Sequence, residues 1–157
     1  MATRSMQDWL DAYGVSHQNP TNKAIHWICV PTIYFCVVGF LWSIPTPETP
    51  YISVPHTIAM VAIGLVAVFY LRLSLTIMVG MMGWSVFCLW LCMLIERYSP
   101  WPLWTVCLVL FVAAWIGQFY GHKVEGKKPS FLEDLQFLMI GPAWLMSFIY
   151  RRFGIPY

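Results

Sequence analysis

His17-Gln18-Asn19-Pro20-Thr21-Asn22-Lys23-Ala24-Ile25-His26 opens into residues 24–47, a run without a single charged side chain. Three more such runs follow, 49–71, 73–95 and 98–122, counting histidine as neutral. Each exceeds the ~20 residues that a helix needs to cross the hydrocarbon core of a bilayer. Backbone polar groups have no water to bond there, so the spans must be helical. Composition points the same way. Only 10% of residues are charged and 59% are hydrophobic, where a soluble domain carries about 25% charged residues. Such a chain cannot cover its surface with polar groups, so lipid is the expected solvent. A net charge of +2 gives no reason to expect a nucleic-acid partner.

The expected fold is therefore all-α: a multi-pass membrane protein in one domain, residues 1–157. Four transmembrane helices are placed at about 24–45, 54–71, 74–95 and 102–122. Asn19 is a natural cap for the first of them, with Pro20 at its first position. Residues 1–18 place Met6, Trp9, Leu10 and Tyr13 on one helical stripe and Asp8 and Asp11 off it. That is an amphipathic N-terminal helix, lying either in the membrane interface or on the rest of the protein. The last apolar run, 135–150, is short and broken by Gly141-Pro142. The segment around 131–150 is expected to be a re-entrant or interfacial helix; a fifth span is the alternative. With four spans and both termini cytoplasmic, Arg97 is the one basic residue of nine outside. A fifth span puts three outside, so the positive-inside rule favours four. The host membrane is a bacterial inner membrane or the endoplasmic reticulum. The cysteines at 29, 36, 88, 92 and 107 all sit inside apolar runs and read as small buried hydrophobes.

This topology brings two polar clusters to one membrane surface. The first is His17, Asn19, Asn22 and His26. The second is Gln118, His122 and Glu125, spaced i, i+4, i+7 where the fourth run ends. Asn22 and His26 share a helix face, and His17 reaches them only if the chain turns at Asn19-Pro20. His56 falls on the opposite side. Ionisable groups at membrane depth are functional candidates. Neutral imidazoles with a carboxylate suit iron, zinc or manganese, and two histidines plus one carboxylate mark oxygen-activating Fe(II). The same groups also serve as hydrogen-bonded glue between membrane helices. From spacing alone three readings stay open: a metalloenzyme, a structural or interaction protein without activity, and a haem-binding electron carrier using two of the histidines.

The pattern His-x-Asn-Pro-x-Asn-x3-His-x4-Pro, His17 to Pro31, resembles the N-terminal signature of the Mpo1-like family (the domain of unknown function numbered 962). Gln118-Phe119-x-Gly121-His122, followed by Lys127-Lys128-Pro129, is similar to its second signature. The resemblance covers most of the chain in order. It implies a membrane dioxygenase that uses Fe(II) and O2 to shorten 2-hydroxy fatty acids by one carbon, in α-oxidation. It implies His17, His26 and His122 as metal ligands and catalytic residues, with Glu125 a further candidate ligand. Asn19, Asn22 and Gln118 would orient the imidazoles. Lys123, Lys127 or Lys128 would attract the substrate carboxylate. One position departs: the family's glutamate stands four residues after the second-motif histidine, and Glu125 stands three after His122.

Overall fold

The computed structural model describes residues 5–46, 56–126 and 137–157. These residues form six helices and no strand: α1 (Met6–Gly14), α2 (Pro20–Trp42), α3 (Thr57–Leu71), α4 (Leu75–Tyr98), α5 (Leu103–Glu125) and α6 (Ile140–Phe153). α2 is the axle. It packs against α3, α4, α5 and α6. Half of its apolar window is buried in the protein, against 28% for α4 and for α5. Asn19 caps it by accepting the backbone N–H of Thr21 at 2.8 Å, and Pro20 occupies its first turn. Proline costs nothing there, because that N–H would lack a helical partner anyway.

Three helices, α2, α4 and α5, are long and apolar enough to cross a membrane. Their outward faces are oily: Val79, Val86, Trp90 and Met93 on α4 and Leu108, Val109, Val112 and Ile116 on α5 are all exposed. A monomer in water rarely shows so continuous an apolar surface, so the helices fit a membrane protein. The fourth expected span is shorter than expected. α3 has 15 residues, about 22 Å of helix against a core of about 30 Å. Counting uncharged residues measured hydropathy but not helix length: run 49–71 contains Pro50 and Pro55, and its part before His56 lies outside the described residues. Lys127, Lys128 and the beginning of the 131–150 segment also lie outside them.

α1 is amphipathic as its stripe predicts. Ser5 and Asp8 form a reciprocal capping box, and Met6, Leu10 and Tyr13 are buried. They pack on α6, so α1 lies against the rest of the protein. α6 also contacts α2 and α4. Tyr150 on α6 donates to the carbonyl of Thr76 at the start of α4, at 2.8 Å. All five cysteines are free and buried.

Glycines bring α5 against α2. A methyl group on Gly117 would stand 2.8 Å from Cys29 Sγ, and one on Gly121 would overlap Asn22 Oδ1. Without a hydrophobic force between helices in lipid, such small-xxx-small faces let backbones approach and gain packing. This contact carries the end of α5 to the beginning of α2.

Candidate metal centre

His26 comes from the second turn of α2, and His122 from the last turn of α5. His17 comes from the turn between α1 and α2, where its N–H bonds Gly14 O at 3.0 Å. The chain reverses between α1 and Pro20, which aims His17 back at His26. The ring centroids are 4.3 Å apart for His17–His26, 5.1 Å for His26–His122 and 5.3 Å for His17–His122. The three rings meet edge to face, and one nitrogen from each lies within 4.8 Å of the others. They are 2%, 0% and 4% exposed, so the cluster is dry although it sits at the ends of its helices.

Two of the tautomers follow from the backbone. His17 Nδ1 is 2.7 Å from Tyr13 O, and His26 Nδ1 is 3.0 Å from Asn22 O. A carbonyl only accepts, so both Nδ1 atoms carry the proton and donate it. In a neutral ring the lone pair is then on Nε2. Metal-binding histidines have this arrangement: the distal N–H fixed on a carbonyl and the ligating nitrogen turned inward. Three imidazoles in a water-poor pocket fit a divalent first-row metal such as iron or zinc. Two aromatic side chains cover the site on the His17 side. Tyr13 stacks on His17 at 4.1 Å and 12°, and Trp144 of α6 lies 5.4 Å from the same imidazole.

Glu125 holds the turn that leads into α2. Its Oε1 accepts the backbone N–H of Gln18 at 2.8 Å. Its Oε2 accepts the N–H of Asn19 at 2.9 Å and Asn22 Nδ2 at 3.1 Å. The carboxylate therefore closes over the N-terminus of α2, where the helix dipole favours negative charge. Asn22, fully buried, also donates to Ser16 O at 3.3 Å. With its amide turned this way, Oδ1 rests against Gly121, a contact that only glycine leaves room for. Asn19 serves as the helix cap. Gln118, one turn before His122, is buried against a cleft shared with Tyr13. Lys123 is exposed. His56 is at the other end of α2: its ring stacks on Trp42 at 3.7 Å and its Nδ1–H donates to Trp42 O at 2.9 Å.

Sequence reasoning did not single out Tyr13, Trp144 or the Gly117-Gly121 pair for the site. The glycines at i, i+4 were a readable signal for close helix contact, as was Tyr13 four residues before His17. Nothing local to Trp144 ties it to His17.

The family described as 2-hydroxy-palmitic acid dioxygenase Mpo1-like matches residues 3–153. The chain is 31% identical over 154 residues to the 2-hydroxy-palmitic acid dioxygenase MPO1 of Saccharomyces cerevisiae, covering 96% of this chain and 83% of that protein. No solved structure matches the chain.

Proposed function

The chain belongs to the Mpo1-like family, and on that premise we propose that it is an Fe(II)-dependent membrane dioxygenase shortening 2-hydroxy fatty acids by one carbon. The observation that carries the proposal is the convergence of three buried imidazoles, His17, His26 and His122, within 4.8 Å of one another. Those three side chains would hold the ion. The donor set also suits zinc, but zinc has no redox chemistry, and a dioxygenase needs a metal that has. Iron, when bound, supplies the electrons that let O2 react with a 2-hydroxy acid. The protein's own residues do the rest. Tyr13 O and Asn22 O hold two imidazoles in the ligating tautomer. Tyr13 and Trp144 exclude water on the α1 and α6 side. Glu125 holds the His17–His26 segment against the end of α5.

The proposed arrangement has both termini cytoplasmic and the histidines at the cytoplasmic surface of the membrane, supported by the basic residues on that side. Exposed Lys123 stands one residue from His122 and would draw a fatty-acid carboxylate to this end of α5. Rings already in edge contact leave no gap for a porphyrin between them, which disfavours the haem reading.

The test is metal analysis of protein purified in lipid nanodiscs after anaerobic Fe(II) loading, with turnover of 2-hydroxypalmitate under O2. About one iron per chain, and a product one carbon shorter, are expected. Protein that takes up no transition metal would leave the histidines as glue between helices and defeat the proposal.

A further inference from the structure

Each histidine of the cluster has a neighbour four residues away, and the three neighbours line one small cavity. Tyr13 precedes His17, Val30 follows His26, and Gln118 precedes His122. On α2 and α5 that spacing is one helical turn along one face, so the cavity adjoins the cluster one turn further into the bundle. Tyr13 ties it to the third histidine by stacking on His17. Gly141, in the first turn of α6, forms another part of the wall. A methyl group there would come 3.0 Å from Tyr13 Oη and 3.3 Å from Val30 Cγ1, so the bare glycine leaves the room. The cavity measures about 20 Å³. A water needs roughly 10–15 Å³, so one oxygen-sized group fits and a run of carbons does not.

Gln118 is the wall residue that wants a partner. It is 5% exposed, and among the described residues its carboxamide makes no hydrogen bond. A buried amide left unpaired is costly. The histidines do not relieve it: His17 and His26 give their Nδ1 protons to Tyr13 O and Asn22 O. Gln118 therefore has no imidazole to orient. A carboxamide offers an acceptor oxygen and two N–H donors. A neutral hydroxyl both donates and accepts, and so answers both ends of the amide at once. A carboxylate only accepts and would leave the amide oxygen unpaired, and hydrocarbon would leave both ends so.

We propose that this cavity is a site for one neutral hydroxyl group, with Gln118 as its recognition residue. Two sources carry that chemistry, the substrate's 2-hydroxyl and a single water. The first rests on the dioxygenase reading, and it makes Gln118 the residue that tells a 2-hydroxy acid from an ordinary fatty acid.

The experiment uses the full chain in nanodiscs, free of iron, and reads displacement of a fluorescent fatty acid by 2-hydroxypalmitate and by palmitate. If the substrate's hydroxyl fills the cavity, the wild type binds the 2-hydroxy acid about tenfold more tightly, the scale of one or two neutral hydrogen bonds. Gln118→Leu should erase that preference by weakening the 2-hydroxy acid alone. Iron affinity, read separately by chelator competition, should stay within about twofold. A water gives a different pattern: no preference between the acids, but coupled stabilities. Gly141→Ala expels the water and strands Gln118, so it should lower the melting temperature more in the wild type than in Gln118→Leu. A preference that survives Gln118→Leu overturns the site, as does no preference together with additive stabilities. Iron affinity falling in Gln118→Leu as far as in His122→Ala also overturns it, and makes Gln118 a residue that orients the ligands. A preference that Gln118→Leu erases, in a protein that never turns over substrate, keeps the site and sinks the dioxygenase reading. Should Gln118→Leu fail to fold, Gln118→Met, unbranched and of nearly the same length, decides by the same comparisons.

Discussion

Replacing Glu125 by alanine removes three hydrogen bonds at one stroke, two to backbone N–H groups of Gln18 and Asn19 and one to the Asn22 amide. All three donors belong to the segment that carries His17 and His26, so the variant frees that segment from α5 without touching a ring. Hydrogen bonds to a charged group contribute about 1.5–3 kcal/mol each when dry. Glu125 is half-buried, and water will replace part of what is lost, so a total near 2 kcal/mol is the working magnitude for the three together. If that penalty falls on the arrangement that holds the metal, affinity drops about 30-fold, at 1.4 kcal/mol per tenfold. This lies within the 10–100-fold typical of residues that orient ligands. Glu125→Gln keeps one acceptor but offers an N–H to another N–H, and should lose nearly as much. The assay is iron affinity by competition with a calibrated chelator, on anaerobic protein in nanodiscs. A loss as complete as that of His26→Ala would make Glu125 a ligand and refute its role as a clasp. No loss at all would mean the clasp does not position the histidines.

Three further outcomes are expected. Gly121→Ala forces a methyl onto Asn22 Oδ1, and overpacking of this kind costs about 1–3 kcal/mol; thermal unfolding and iron binding should both weaken, and a variant with both unchanged would contradict the close α2–α5 contact. His56→Ala, at the far end of α2, should keep iron content and turnover within about twofold, because a change remote from the site seldom costs more than about 0.5 kcal/mol beyond its local effect; iron lost at normal protein levels would mean that the histidine cluster is misassigned. Impermeant thiol labelling of single cysteines, on a background with the native five replaced, should place Ser5→Cys and Tyr157→Cys on one side and Ser99→Cys on the other, whereas Tyr157→Cys labelled together with Ser99→Cys would rule out an even number of crossings.

What the chain made legible was whatever depends on neighbours in sequence. The Asn19 cap, the Pro20 start, the α1 stripe and the apolar lengths of α2, α4 and α5 are all local, and each can be read from a window of a few turns. The three histidines could be brought together because the lengths and order of the helices are also nearly local. What could not be read depends on contacts between distant elements. Glu125 continues the Gln118–His122 stripe, but spacing gave no sign that the backbone N–H groups of Gln18 and Asn19, just before α2, donate to its two oxygens. The stripe says which face a side chain is on but not what waits opposite. α3 shows the limit of hydropathy in the other direction: apolar composition extended the expected span toward residue 54, but the described helix begins only at Thr57.

The placement of α1 and α6 explains how a polar cluster at the ends of apolar helices stays dry. The end of a transmembrane helix is normally wet, and an imidazole there would exchange its partners for water. Here α1 lies over the cluster with Met6, Leu10 and Tyr13 turned inward, and α6 meets it with Trp144. The Tyr13 and Trp144 rings, 5.3 Å apart, close over His17 from α1 and α6. The cleft next to the site lies between α2 and the Phe137–Pro142 turn, along Val30 and Ile33. On the proposed function, a site shut toward water and facing hydrocarbon would select its substrate by phase: a fatty acid dissolved in the bilayer would reach the histidines, while a short, soluble hydroxy acid in the aqueous phase would not. Opening the aqueous side should erase that preference. Trp144→Ala removes the outer wall without touching an imidazole, and should raise turnover of short, water-soluble 2-hydroxy acids relative to long ones. If the ratio does not move while iron binding is retained, the aromatic wall is packing alone and the route of entry lies elsewhere.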